Sequence, residues 1–173
     1  MEKNRTLTDL METYGKDMWN YAFFLTLRAD IADDVMQDVF IKVYEKLCAF
    51  RGESSVRTWL LAITRNVVRD YQRSSWFRRV SLVERFLQRQ TTSPSAEYVV
   101  IDALSREEVW REVLGLPKKL RETLLLYAHH HLSIAEIAGL LDISEGTVKS
   151  RMHRARAKIN KQLNGEVPEH ARC

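Results

Sequence analysis

Residues 133–163 read SIAEIAGLLDISEGTVKSRMHRARAKINKQL, and their spacing predicts two helices joined by a tight turn. Ser133 can cap the first helix, and Glu136, three residues on, completes a capping box. Ile134, Ile137, Ala138 and Leu141 then fall at i, i+3, i+4 and i+7, one apolar stripe. Asp142, Ile143 and Ser144 make the break, and Ser144 is a good cap for a second helix. Val148, Met152, Ala155, Ile159 and Leu163 give that helix a single apolar face. At about 100° per residue, Lys149, Ser150, His153 and Arg154 point away from it, and Arg151, Arg156 and Lys158 flank it. A short helix, a tight turn and a basic second helix form the pattern of a helix-turn-helix, whose second helix fits the major groove. A helical hairpin with a solvated basic face would share the charge. The paired caps, the small Ala138 at the helix crossing and the one-sidedness of the charge favour DNA.

The chain has 173 residues, enough for one domain or two small ones, and 45% of them are hydrophobic, enough for real cores. With only three Pro and six Gly, the composition favours helix over sheet. No apolar run reaches the roughly 18 residues of a membrane span. The start, MEKNRTLTDLMETYG, is polar and acidic, unlike a signal peptide. The expectation is therefore a cytoplasmic protein with no membrane insertion. Cys48 and Cys173 give neither a disulfide framework nor a metal spacing. Cys48 falls in an apolar helical pattern and is expected in the core.

Charge is distributed in blocks behind the overall +4. Residues 1–48 carry 6 basic and 9 acidic side chains (net −3), and residues 49–90 carry 9 and 3 (net +6). Residues 91–143 carry 5 and 8 (net −3), and residues 144–173 carry 7 and 3 (net +4). Two basic blocks, each behind an acidic one, imply two surfaces for nucleic acid.

In the first half, Leu7, Leu10, Met11, Tyr14, Met18, Tyr21, Ala22 and Leu25 predict a helix over 8–27, which Gly15 weakens without breaking. Asp30 can cap a second helix that buries Val35, Met36, Val39, Phe40, Val43, Tyr44 and Leu47. Asp33, Asp34, Gln37 and Asp38 crowd its first turns, where acids suit the helix dipole or dock a basic partner. Phe50 to Ser55 read as a loop, with Ser54 or Ser55 capping a third helix to about Trp76. Val56, Trp59, Leu60, Ile63, Val67 and Tyr71 form its stripe, while Arg65 and Arg69 project opposite, Arg57 and Arg73 nearby, Asn66 and Asp70 along one edge. Arg and Asn at helical spacing can hold phosphates and read base edges, and a polar loop beside aromatics can pocket an unstacked base. A solvated arginine face is the bland alternative.

Periodicity fades over 77–103, which reads as a linker with a short helix near 82–89. Ser105 to Glu108 form another capping box, before a helix carrying Val109, Trp110, Val113 and Leu114 and ending at Gly115. Pro117 then starts a helix burying Leu120, Leu124 and Tyr127. His129, His130 and His131 cannot all face one metal from a helix. They read as a polar turn into Ser133. No phosphate-binding loop, nucleophile–base pair or acidic dyad appears, so neither enzyme activity nor a cofactor is expected.

Two blocks, DDVMQDVFIKVYEKLCAFRGESSVRTWLLAITRNVVRDYQR (33–73) and LPKKLRETLLLYAHHHLSIAEIAGLLDISEGTVKSRMHRARAKI (116–159), resemble the extracytoplasmic-function (group IV) sigma factors of bacterial RNA polymerase. The resemblance covers nearly the whole chain, with the blocks in the family's order and spacing. It implies an all-α protein of two small helical domains joined by a flexible linker: a sigma2-like bundle over 1–76, the linker over 77–103, and a sigma4-like domain over 104–173 with its helix-turn-helix at 133–163. Asp33, Asp34, Gln37 and Asp38 match the segment that docks on the clamp helices of the polymerase largest subunit, with the flap region as a further contact of the enzyme. Arg51, Ser54, Ser55 and Val56 match the loop that captures a base flipped from the −10 element. Trp59, Arg65, Asn66, Arg69 and Asp70 fall on the helix beside the melted strand. The linker matches the segment that threads towards the RNA exit path. Thr147, Lys149, Ser150, Arg151, His153 and Arg154 match the recognition helix that reads the −35 element. Promoter DNA, core polymerase and an anti-sigma factor that holds the free protein are the implied partners.

The chain departs from the family at two places. Asp142 stands where many members have Gly, and Asp tolerates a left-handed backbone better than most residues. The triple histidine replaces a turn that usually holds an acid or Gly. Ser150 and His153 lie where members vary, so the promoter sequence does not follow. Two rival readings stay open at this point: a stand-alone helix-turn-helix regulator that binds operator DNA as a dimer, and a protein-only adaptor whose basic faces are merely solvated.

Overall fold

The computed structural model describes residues 2–73 and 107–165, and every regular element among them is helical. The chain divides into two compact units, Met1–Asp102 and Ala103–Cys173. The expected short helix near 82–89, the Ser105 cap and Cys173 lie outside the described residues.

In the first unit α1 (Glu2–Thr26), α2 (Ala29–Lys46) and α3 (Val56–Arg73) pack pairwise against one another. Met18, Tyr21, Ala22 and Leu25 of α1, Ile31, Val35, Val39 and Val43 of α2, and Leu60, Ile63, Val67 and Val68 of α3 form the core. Each large apolar side chain so buried contributes about 1.5–3 kcal/mol. Helix α1 begins earlier than expected, because Glu2 to Leu7 holds no Pro or Gly to stop it. Gly15 leaves α1 unbroken, with Phe40 Cζ 3.9 Å from where a Cβ would sit. Met11 and Tyr44, expected in the apolar stripes, are exposed, and Phe40 and Leu47 are half-buried. The stripes are wider than the faces that neighbouring helices cover.

Two expectations are corrected around α2. Asp30 is not its cap: Leu27 turns left-handed at φ 58°, Arg28 is the extended N-cap without a side-chain bond, and Asp30 sits in the first turn. There Arg28 Nε donates to Asp30 Oδ1 at 3.0 Å, which holds that carboxyl below its ordinary value. Cys48 is not a core residue either: α2 gives way to a 3-10 turn, Leu47–Ala49, on which Cys48 is exposed.

In the second unit α4 (Glu107–Gly115), α5 (Lys118–Ala128) and α6 (Ile134–Leu141) each pack on α7 (Glu145–Gly165). Val113, Leu116, Leu120, Leu124, Leu125, Ile137, Leu141, Val148, Met152 and Ala155 are buried. Pro117 is the N-cap of α5 rather than its first residue, and Tyr127 on that helix is exposed. The histidines make the turn. His129 N–H donates to Leu125 O at 2.9 Å, Leu132 N–H reaches back to Leu126 O at 3.0 Å, and His131 takes φ 56°. That closure resembles a left-handed helix cap normally served by Gly.

Candidate functional site

Three groups of residues form the candidate surfaces. The first is the acidic edge of α2. Asp34 and Gln37 are exposed there. Asp33 is also exposed, yet it accepts a hydrogen bond from the Trp19 indole of α1 at 2.7 Å. Asp38 is half-buried and faces the Tyr71 hydroxyl of α3. Burial, then the carboxylates of Asp38 and Asp34, push the Tyr71 phenol above its ordinary value.

The second group is the 50–56 loop with α3. Phe50 N–H donates to Leu47 O at 3.3 Å, closing the short turn, and Arg51 to Ser55 are exposed. Gly52 adopts φ 74°, which a side chain would strain, although nothing lies within 4 Å of its missing Cβ. Ser55, not Ser54, caps α3: its Oγ accepts from Thr58 N–H at 3.0 Å, while Ser54 Oγ donates to Ser55 O at 3.3 Å. Trp59 is half-buried, its ring centroid 4.8 Å from that of Phe50, so an aromatic pair stands beside the loop and beside half-buried Val56. Along α3, Asn66, Arg69 and Asp70 are exposed and Arg65 is half-buried. Asp70 Oδ2 lies 3.4 Å from Lys42 Nζ of α2. Arg57, expected near this basic face, instead pairs with Asp17 of α1 and serves the bundle.

The third group is the helix-turn-helix. Ser133 N–H donates to Glu136 Oε2 at 2.9 Å, and Glu136 N–H returns a bond to Ser133 Oγ at 3.2 Å, a complete capping box. Asp142 adopts φ 57°, ψ 55°, and Ile143 N–H bonds Ala138 O at 3.1 Å, which turns the chain sharply after α6. Ser144 Oγ then accepts from Thr147 N–H at 3.2 Å and sits 2.9 Å from the Thr147 hydroxyl, so half-buried Thr147 faces the cap. Val148, Met152 and Ala155 anchor the inner face of α7. Lys149, Ser150, His153 and Arg154 are exposed on the outer face, and Arg151 is half-buried. Ser150 Oγ donates to Thr147 O at 3.0 Å, and Arg154 Nε donates to Ser150 O at 3.3 Å. Arg156 leans over the Tyr127 ring of α5 at 5.7 Å. This face presents cations and a hydroxyl group on a helix capped at its start and packed on its inner side, which suits phosphates and base edges.

Sequence reasoning did not find Trp19, Lys42 or Tyr71 as partners of the candidate residues. Aromatic rings counted for an apolar stripe also carry a polar tip. That tip was the available signal for Tyr71.

Two family models match this chain: Sigma-70 region 2 over residues 10–78 and Sigma-70, region 4 over residues 106–159. The RNA polymerase sigma factor YlaC of Bacillus subtilis is 30% identical over 164 residues, spanning 94% of this chain and 95% of that protein. The ECF RNA polymerase sigma-E factor of Escherichia coli is 34% identical over 140 residues, spanning 75% and 72%. Among solved structures, CnrH in complex with the cytosolic domain of CnrY matches with a TM-score of 0.64 at 25% identity, covering 94% of this chain and 90% of that one. With both regions matched in order and relatives aligned over most of their lengths, the chain belongs to the extracytoplasmic-function sigma factors of the sigma-70 family.

Proposed function

We infer that this sigma factor directs core RNA polymerase to its promoters by dividing the work between its two units. The acidic edge of α2, the segment that carries Asp33, Asp34, Gln37 and Asp38, faces the clamp helices of the largest subunit, and its solvent-exposed side chains are the ones placed to touch them. The outer face of α7, with Lys149, Ser150, Arg151, His153 and Arg154 and with Thr147 at its start, reads the −35 element as duplex. A good bidentate contact there discriminates by about 1–3 kcal/mol. The loop residues Arg51, Ser54, Ser55 and Val56, with Trp59, Arg65, Asn66, Arg69 and Asp70 on α3, hold a −10 base and the melted strand, where unstacking costs a few kcal/mol. The domains run 1–76 and 104–173, with 77–103 as the connecting segment.

The observation that carries this reading is α7, capped by Ser144 behind the boxed α6, which turns Lys149, Ser150, His153 and Arg154 outward while Val148, Met152 and Ala155 hold its inner face. The chain works by recognition and makes no covalent bond itself. It acts in the cytoplasm. Among the described residues no helix is long and apolar enough to cross a membrane. An anti-sigma protein holds the free factor, a role supported by the solved complex of CnrH with the cytosolic domain of CnrY.

Run-off transcription with core polymerase on a randomised promoter library tests the assignment. Factor-dependent start sites sharing one upstream and one downstream motif are expected. Unchanged starts without the factor would overturn it. The stand-alone regulator is not favoured, because the Sigma-70 region 2 match leaves it without a use for the first half. In a gel shift such a regulator binds duplex alone, whereas this chain needs the enzyme.

A further inference from the structure

The four residues of the acidic edge of α2 differ in what already engages them. Asp34 and Gln37 face solvent, while Asp38 is half-buried against α3. Its carboxylate faces the Tyr71 hydroxyl of that helix. One turn further along α2, Lys42 Nζ stands 3.4 Å from Asp70 Oδ2, again on α3. The two ties therefore join consecutive turns of α2 to neighbouring residues of α3, and α3 also carries Arg65, Asn66 and Arg69.

An exposed ion pair of this length contributes little to stability. Its local electrostatic effect is larger. Asp70 is an anion on a face that otherwise attracts phosphate, and the Lys42 ammonium offsets its charge there. At the same level the Asp38 carboxylate faces the Tyr71 hydroxyl, a polar tie beside the apolar packing of Ile63, Val67 and Val68 that sets the rotation of α3.

We propose that Asp38 and Lys42 are positioning residues that act through Tyr71 and Asp70 to set the nucleic-acid face of α3, while the polymerase contacts of this edge rest on Asp34 and Gln37. The assignment builds on the function inferred above and splits one acidic segment into two jobs. An α2 so tied makes the docked helix and the strand-holding helix move as one piece. A shift of α2 on the enzyme is then transmitted to the melted strand.

The test uses the full chain with core polymerase and two readouts: the affinity for core by fluorescence anisotropy, and permanganate reactivity of −10 thymines at saturating core. Asp34→Ala is expected to weaken core binding by about tenfold, with thymine reactivity regained at saturation. Tyr71→Phe, Asp38→Ala and Lys42→Met are expected to keep core affinity within about twofold and to lower reactivity at saturation by roughly three- to tenfold. Asp38→Asn and Lys42→Arg, which preserve the contacts, are expected to restore it. Tyr71→Phe and Lys42→Met are mild enough to fold, which circular dichroism checks. If Asp38→Ala weakens core binding as much as Asp34→Ala, Asp38 is a contact and the assignment fails. It also fails if Tyr71→Phe and Lys42→Met open promoters as the wild type does. A wild-type chain that never binds core removes the underlying function itself, a different outcome read in the same experiment.

Discussion

Arg121 is the most exacting test of how the second unit holds together. It is 7% exposed, and its Nη1 donates to Leu114 O at 2.7 Å and to Leu116 O at 3.3 Å. Those carbonyls lie where α4 ends and the chain turns into Pro117. Burial lowers the pKa of the guanidinium, with neighbouring Glu122 opposing, but an arginine still carries its charge at neutral pH. Arg121→Met keeps the apolar stem and removes both donors. Each buried carbonyl left without a charged partner costs about 1–3 kcal/mol. Relief of the guanidinium's own desolvation returns part of that. The net expectation is a loss of about 3 kcal/mol, a large share of the stability of a domain this small. Hydrogen exchange by mass spectrometry resolves it, because amides of α4 to α7 should lose protection while those of α1 to α3 serve as the internal control. Arg121→Lys, which has a point charge in place of the fork, should fall between. A loss below about 0.5 kcal/mol in α4 to α7 would refute the reasoning, since two desolvated acceptors cannot be abandoned so cheaply.

Four further outcomes are expected. Arg154→Ala should weaken promoter selection by about 1–3 kcal/mol and leave core binding unchanged; equal loss of polymerase in a pull-down would contradict the division of roles. Ser133→Ala removes one half of the capping box and should cost about 1 kcal/mol in urea unfolding of the second unit. The Tyr71 phenol should ionise later than an ordinary tyrosine, whose value is 10.0, so its contribution to stability is whole below that pH and is lost as pH rises through the raised value; ultraviolet titration of Tyr71→Phe should lack the late component. Leu27→Gly and His131→Gly, at φ 58° and 56°, should each stabilise the fold by roughly 0.5–1 kcal/mol in thermal melts, because both residues sit in a backbone region that disfavours side chains.

Local chemistry was legible in the sequence. The Ser133–Glu136 box, the Ser144 cap, the left-handed Asp142 and the Val148–Met152–Ala155 stripe all depend on residues within a few positions of each other, and all appear in the structure. The outward set on α7 follows from the same periodicity. Long-range pairings were not legible. Arg57 was expected beside nucleic acid until Asp17, 40 residues away, is seen to engage it. Asp33 and Asp38 look alike in the sequence, yet Trp19 bonds one and Tyr71 faces the other. Asp30 failed as a cap because the left-handed turn at Leu27, a residue with no special preference for it, moved the helix start upstream. Cys48 was misread because the helical pattern ran past the point where α2 tightens into its last turn.

That last turn has a practical consequence. The chain holds two cysteines, and Cys48 lies exposed two residues before Phe50. With Cys173 changed to Ser, a single thiol remains, and a maleimide dye coupled to it would sit at the root of the 50–56 segment. Its emission would then follow that segment in real time as the factor meets the enzyme and opens a template.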